Sequence, residues 1–248
     1  MSNYLYQQIK QTTTRIRPPF VTTVIRQGGT DLNAGQVIYT PPRGEKIIEE
    51  KLENLIDFVN DDEKYNIDHL LKMAIAHFQF EAIHPFADGN GRTGRIFNIH
   101  YLTNKGLLDF PILFLSKYIL AHKNDYYEGI MGVSQRGSWK NWILFMLRAI
   151  EYTSNDTFYK VNDIVSAKSS IVEYISKKKK FKDVEKLIEF LFTQPFIKVS
   201  HLVEAGIYSE NTSRKYLNDL SDLQVLEKKV VDGKYYYLNN ELYRILSK

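Results

Sequence analysis

The stretch His84-Pro85-Phe86-Ala87-Asp88-Gly89-Asn90-Gly91-Arg92-Thr93-Gly94-Arg95 puts a proton acceptor, a hard carboxylate, a glycine-rich bend and two arginines into twelve residues. Gly89, Asn90 and Gly91 tolerate the backbone angles that aim successive N–H groups into one concavity. A helix beginning near Gly91 would add its unpaired N–H groups and its dipole, both of which favour anions. Arg92 and Arg95, three residues apart, project from one side of the first turn and can grip phosphate oxygens in bidentate fashion. Asp88 is a ligand of the kind Mg²⁺ takes, one carboxylate plus substrate phosphates. His84 can accept a proton near neutral pH. Together these groups suit attack on a nucleotide phosphate.

The flanking residues set this stretch between two helices. Asp68 is placed to cap a helix through Leu71, Ala74, Ile75 and Phe78 to about Ile83. The helix starting near Gly91 ends at Gly106, a natural position for a helix C-terminus. Upstream, the apolar spacing from Ile47 through Leu52, Leu55, Ile56 and Val59 predicts an amphipathic helix after the breaker Pro41-Pro42. Before it, Val21–Ile25 and Gln36–Tyr39 are β-branched runs joined by Gly28, Gly29, Asp31, Asn33 and Gly35, which reads as a β-hairpin over Val21–Thr40. Downstream, Ser116–Arg136 and Trp139–Tyr152 read as helices, followed by a long polar helix ending in Ser176-Lys177-Lys178-Lys179-Lys180. That lysine run reads as a solvated face and marks a boundary. Beyond it come helices over Asp183–Phe192, His201–Ala205 and from Ser209 to Leu223. Val225–Val231 and Tyr235–Leu238 then flank Asp232-Gly233, a strong hairpin signal. Three helices and a β-ribbon follow the winged helix-turn-helix plan. The expected architecture is therefore mainly α, with a helical core over 1–165 and its hairpin. A helical, Lys-rich linker over 166–182 and a winged helix-turn-helix domain over 183–248 complete it.

Composition narrows the class. The 248 residues are 44 % hydrophobic and 25 % charged, a globular balance that excludes a fibrous or disordered chain. With no cysteine, disulfides and thiolate metal sites are excluded. No zinc-like histidine spacing occurs, so His69, His77, His100, His122 and His201 read as packed or exposed side chains. Apolar runs are cut by Asp109, Pro111, Lys117 and Arg148, short of the ~20 residues of a membrane span. The start Met1-Ser2-Asn3-Tyr4 carries no secretion pattern, so a cytoplasmic protein is expected. A net charge of +4 is too mild to imply a nucleic-acid or membrane partner.

The motif resembles the signature of the Fic (filamentation induced by cAMP) family, His-x-Phe-x-Asp/Glu-Gly-Asn-Gly-Arg-x-x-Arg. His84, Phe86, Asp88, Gly89, Asn90, Gly91, Arg92 and Arg95 match all eight fixed positions. The resemblance covers roughly residues 3–165 and includes the helix entering through Phe80-Glu81-Ala82-Ile83. It implies a protein adenylyltransferase moving AMP from ATP to a Ser, Thr or Tyr hydroxyl, with release of pyrophosphate. On that analogy His84 is the base, Asp88 holds Mg²⁺, and Gly89, Asn90 and Gly91 cradle the phosphates. Arg92 and Arg95 neutralise the outer phosphates, and Phe86 anchors the loop in the core. Doc-type members, which transfer the γ-phosphoryl group, carry Lys at the position of Gly91, so Gly91 favours AMP transfer. Tyr126 and Tyr127 resemble a family pair near the adenine and ribose. The hairpin matches the family's flap, which would pin an extended protein substrate by strand addition. A nucleotide-sensing winged-helix regulator, or a transferase of another nucleotide, is the alternative.

The family's inhibitory pattern Ser/Thr-x-x-x-Glu-Gly/Asn does not occur. Glu53-Asn54, Glu128-Gly129 and Glu210-Asn211 are preceded four residues earlier by Glu49, Asn124 and Gly206. The expectation is a chain that is unrestrained, or restrained by a separate inhibitor or a removed segment, and that modifies itself. From Asp183 to Lys248 nine Lys/Arg face ten Asp/Glu. That balance favours protein contact or a homodimer over DNA, although Asn211, Arg214, Lys215 and Asn218 could still face a groove with Lys228, Lys229 and Lys234 on the wing.

Overall fold

The computed structural model describes residues 16–20, 22–26 and 35–248. The chain divides into two compact units, Met1–Asn155 and Asp156–Lys248.

In the first unit, β1 (Ile25–Arg26) pairs antiparallel with β2 (Val37–Tyr39), Ile25 opposite Tyr39. These are the paired legs of the expected hairpin; Val21 and the turn over 27–34 lie outside the described residues. Ile38 is buried and fastens β2 to the core. Three helices follow: α1 (Ile47–Asn60), α2 (His69–Ile83) and α3 (Asn90–Asn104). Asp68 caps α2 as its position suggested, its Oδ1 accepting from the Leu70 and Leu71 N–H groups at 2.8 and 3.3 Å. At the far end of α3, Gly106 takes φ 72° and its N–H reaches the Thr103 carbonyl, while Leu107 N–H reaches Leu102. This left-handed close satisfies carbonyls the helix leaves open.

Two expectations need correcting. Ser116–Arg136 is not one helix but α4 (Leu115–Ala121) and α5 (Lys123–Arg136), separated at His122 with φ −122° and ψ 45°. The His122 ring stacks on Tyr118 at 4.1 Å and its Nδ1 contacts the Tyr118 carbonyl, which supports the break. The helix from Trp139 does not stop near Tyr152 but continues as α6 to Lys178, forty residues.

The first core gathers Leu52 and Leu55 of α1, Met73, Ala76 and Phe80 of α2, Leu102 of α3, Ile119, Ile130 and the opening of α6. Trp142, fully buried, donates its indole N–H to the Ala74 carbonyl at 2.8 Å.

The second unit has its own core. Ile175 near the end of α6 packs with Leu187 and Ile188 of α7 (Val184–Leu191), Leu202 of α8 (Val199–Glu204), and Leu217 and Leu220 of α9 (Glu210–Asp222). Ser209 stands at the N-cap of α9, yet its hydroxyl meets Thr212 Oγ1 at 3.0 Å and caps no N–H. The strands β3 (Phe196–Ile197), β4 (Glu227–Val231) and β5 (Lys234–Leu238) form a sheet of order β3-β5-β4, all antiparallel. The Asp232-Gly233 turn joins β4 to β5 with both residues at positive φ, as a type I′ hairpin requires. A last helix, α10 (Asn240–Leu246), is capped by the Asn239 side chain, which accepts from the Leu242 N–H.

Asp62, just past α1, holds two lysines: fully buried Lys72 at 2.7 Å and Lys105 after α3. Their hydrogen bonds, Lys105 first, pull the Asp62 carboxyl down to about 2. Because the folded value lies below that of the unfolded chain, this contribution is complete above about pH 4 and fades as pH falls toward 2. Asp62→Asn should cost about 1–3 kcal/mol at pH 7, since it leaves the Lys72 ammonium short of a partner. It should also flatten the acid dependence of stability between pH 4 and 2, as read by denaturant melts.

Candidate active site

The motif forms the connection between α2 and α3. His84 is the C-cap of α2, in the left-handed region with φ 48° and ψ 60°. A non-glycine residue there costs about 1–2 kcal/mol, so the surroundings must impose it. Two restraints are visible. Asn90, 2 % exposed, reaches back so that its Oδ1 accepts from the Phe86 N–H at 2.9 Å, while its Nδ2 donates to the Phe86 carbonyl at 2.8 Å. Phe86 is itself buried, against Phe80 at 6.2 Å, and pairs as an isolated bridge with Ile16. Asn90 therefore shapes the loop with its side chain, which turns to Phe86.

Gly89 precedes α3 with φ 83°, a conformation that suits glycine, and no side chain caps the helix start. The Gly89 carbonyl accepts from Thr93 N–H and Thr93 Oγ1, while Gly91 lies in the first turn. Asp88 and Arg92 stand in solvent, with side chains 91 % and 73 % exposed and an ion pair of 3.3 Å. Such a pair is weak and both members are free to reorganise around a ligand. Arg95 is half-buried and donates from Nε to Ser116 Oγ at 2.7 Å. The motif thus presents one open carboxylate and one open arginine beside an uncapped helix end, with a second arginine held by α4.

His84 has a sheltered ring. Burial, the largest influence, lowers its pKa from the usual imidazole value. The Arg17 charge acts the same way, and the Glu81 main chain opposes both. Its Nδ1 is buried, which leaves Nε2 for an incoming proton donor.

Beneath the loop lies a polar layer that the sequence did not announce. His77, fully buried on α2, meets Tyr126 Oη at 3.1 Å and Asn98 Nδ2 at 3.0 Å, and stacks on Trp142 at 6.0 Å. Burial, the main cause, lowers its pKa to about 4. Glu81, 6 % exposed, is pushed up to about 7 by burial despite the opposing charge of Arg95. Gly94 admits this layer, because a Cβ there would lie 2.6 Å from Glu81 Oε1.

Tyr126 corrects an expectation. It is 6 % exposed, bonded to His77 and packed on Trp142 at 5.5 Å, so it is a core residue and not a platform for adenine. Tyr127 is half-buried and meets Tyr126 edge-on at 5.7 Å. The only signal for His77 and Glu81 was their spacing, one turn apart on the helix that delivers His84. No described group of three or more His, Cys, Asp or Glu is arranged to hold a metal ion. Asp88 therefore stands as a single carboxylate, a donor set that fits Mg²⁺ shared with phosphates better than a caged cation.

Comparison with known proteins places this site in a family. Residues 3–102 match the Fic/DOC family, and residues 170–242 match the family described as protein adenylyltransferase SoFic-like, C-terminal domain. The chain is 41 % identical over 58 residues to the protein adenylyltransferase fic-1 of Caenorhabditis elegans, spanning 23 % of this chain and 11 % of that protein. It is 40 % identical over 88 residues to a probable protein adenylyltransferase of Aquifex aeolicus, spanning 36 % of this chain and 25 % of that protein. A crystal structure of a Fic family protein from Desulfovibrio desulfuricans G20 aligns over 90 % of this chain and 62 % of that one, with 24 % identity and a TM-score of 0.48. Residues 3–102, which include the whole of the motif, thus match the Fic/DOC family. The chain spans only 11 to 25 % of the length of the two curated relatives. No described helix is long and apolar enough to cross a membrane.

Glu81 gives a pH test of the buried layer. Between about pH 4.3 and 7 the folded chain binds a proton at Glu81 that the unfolded chain has released, so this residue's contribution to stability declines as pH rises. His77 acts oppositely, contributing stability that grows from about pH 4 to 6.5. Glu81→Gln should therefore gain stability relative to the parent between pH 4.5 and 8, by up to about 3 kcal/mol, in parallel thermal melts at the two pH values. Asn90→Ala, which strands the Phe86 amide groups, should lose about 1–3 kcal/mol at either pH.

Proposed function

We propose that the chain is an AMP transferase that moves adenylate from ATP to a hydroxyl side chain of a protein, itself included. What carries this reading is one placement: His84 closes α2 four residues before the exposed Asp88, at the uncapped start of α3 with Arg92 and Arg95 on its first turns. The relatives whose printed names are protein adenylyltransferases support it.

In this reading the N–H groups of Gly89, Asn90 and Gly91 and the helix end receive the phosphate oxygens. Arg92 leaves Asp88 to meet the outer phosphates, and Arg95 meets them from its seat on Ser116. Asp88, so released, would hold Mg²⁺, which when bound with ATP withdraws charge from the α- and β-phosphates. His84 is neutral near pH 7 because burial disfavours its cation, and its Nε2 accepts the proton of the incoming hydroxyl. The hydroxyl oxygen bonds to the α-phosphorus, the bond from that phosphorus to the bridging oxygen breaks, and pyrophosphate leaves with the electron pair. The paired strands β1 and β2 offer an edge on which an extended substrate segment can lie. The second unit, with the short helices α7 to α10 and a three-stranded antiparallel sheet, fits a winged helix used for contact with protein or a second copy.

Incubation with ATP and Mg²⁺ followed by intact-mass measurement should show added masses of one AMP. His84→Ala should reduce the initial rate by roughly 100- to 10,000-fold. Added phosphoryl mass, or unchanged labelling in His84→Ala, would overturn the reading.

A further inference from the structure

Arg17 lies 67 residues from His84 in sequence and outside the motif, yet it is 3 % exposed and bonded to the backbone that carries the base. Its Nε donates to the His84 carbonyl at 2.8 Å. One Nη donates to the Ile83 carbonyl at 3.2 Å and to the Pro42 carbonyl, and its main-chain N–H donates to Pro85 at 2.9 Å. The other Nη is buried with no partner among the described residues. Ile83 and His84 close α2, so their carbonyls belong to the set that a helix end leaves unpaired. A guanidinium offers several donors in a fixed plane and holds such a group of acceptors in one arrangement, which a single ammonium does not. Burying that cation is costly unless its acceptors are well placed, and here they are carbonyls at the negative end of a helix.

We infer that Arg17 is a positioning residue for His84, holding the base in its left-handed seat through the Ile83–Pro85 backbone and tying that seat to both ends of the hairpin. The tie is concrete: Pro42 follows β2, Arg17 precedes β1, and the Gly44 N–H donates to the Pro19 carbonyl at 2.8 Å. A protein segment docked on the hairpin would therefore load the same backbone that aims the imidazole. Arg17 also supplies the charge that adds to burial in keeping the ring neutral, and it touches no residue assigned to phosphate or metal. Nothing in the motif itself could supply this support, since Asn90 is committed to Phe86.

The inference rests on the AMP-transfer reading for its kinetic arm and stands independently in its spectroscopic arm. Arg17→Gln and Arg17→Lys are compared with the parent. AMP transfer gives kcat and KM for ATP, and the His84 ring is titrated by NMR, its signal assigned with His84→Gln. In Arg17→Gln, kcat should fall roughly 10- to 100-fold with KM for ATP changed less than about threefold. The His84 midpoint should move upward. Arg17→Lys keeps the charge but not the planar fork, so its midpoint should stay near that of the parent while kcat still falls. A folded Arg17→Gln with kcat within twofold of the parent, or with its loss confined to KM, would overturn the inference. So would an unmoved His84 midpoint in that variant. If Arg17→Gln does not fold, Arg17→Lys decides by the same kcat criterion. If the parent transfers no AMP, the functional reading fails alone and the titration still judges Arg17.

Discussion

The site depends on a short connection kept shut. Between α2 and α3 the chain must reverse within six residues while holding a histidine in a left-handed conformation, which left-handed glycine would adopt at no cost. Asn90 closes the loop from within through the two amide groups of Phe86, and the Phe86 ring drives it into the core. Arg17 closes it from outside through the carbonyls of Ile83, His84 and Pro85. With both closures in place, the start of α3 stays uncapped, and Asp88 and Arg92 point into water with no structural duty beyond a weak pair. Rigid backbone and loose charged tips divide the labour: the first fixes where an anion can sit, the second can adapt to it.

The layer below the loop explains why α2 and α3 pack so closely. Gly94 removes the one side chain that would separate α3 from Glu81 and His77. Burial favours the neutral form of each: His77 is uncharged near pH 7, and Glu81 keeps its proton up to about that pH. Tyr126 and Trp142 complete the enclosure from α5 and α6, so the turn between α2 and α3 rests on aromatic and polar contacts. The second unit follows a different plan. Its Leu and Ile core is conventional, and its most exposed aromatic strand, β5, covers its tyrosines with lysines: Lys228 over Tyr235 and Lys198 over Tyr236.

Elements with a start signal were readable before the structure. Asp68, Gly106 and the Asp232-Gly233 pair each mark a boundary by local chemistry, and α2, α3 and the β4–β5 hairpin fall where those residues put them. What escaped lacked such a signal. The break at His122 comes from a ring stacking on Tyr118, a contact that periodicity does not encode. The length of α6 was hidden because its polar middle suggested an ending, although no glycine or proline interrupts Trp139–Lys178. The short α10 follows directly on a strand and rests on Asn239. Within the site, the residue types of the motif were visible but their directions were not. The Asn90 side chain is seen only in the structure to turn to Phe86, and Tyr126 reads as a base platform until it is seen bonded to buried His77. Arg17 was invisible because its function depends on contacts made across 67 residues of chain.

The central claim is that the turn from His84 to Arg95 is a nucleotide seat with its base aimed at the α-phosphate. A crystal structure of the chain with a non-hydrolysable ATP analogue and Mg²⁺ tests it most directly. The account requires the triphosphate along the Gly89–Gly91 amides, Arg92 swung from Asp88 to the outer phosphates, and His84 Nε2 facing the α-phosphorus. A nucleotide bound elsewhere, or one seated on the turn with a different phosphorus before His84, would contradict it.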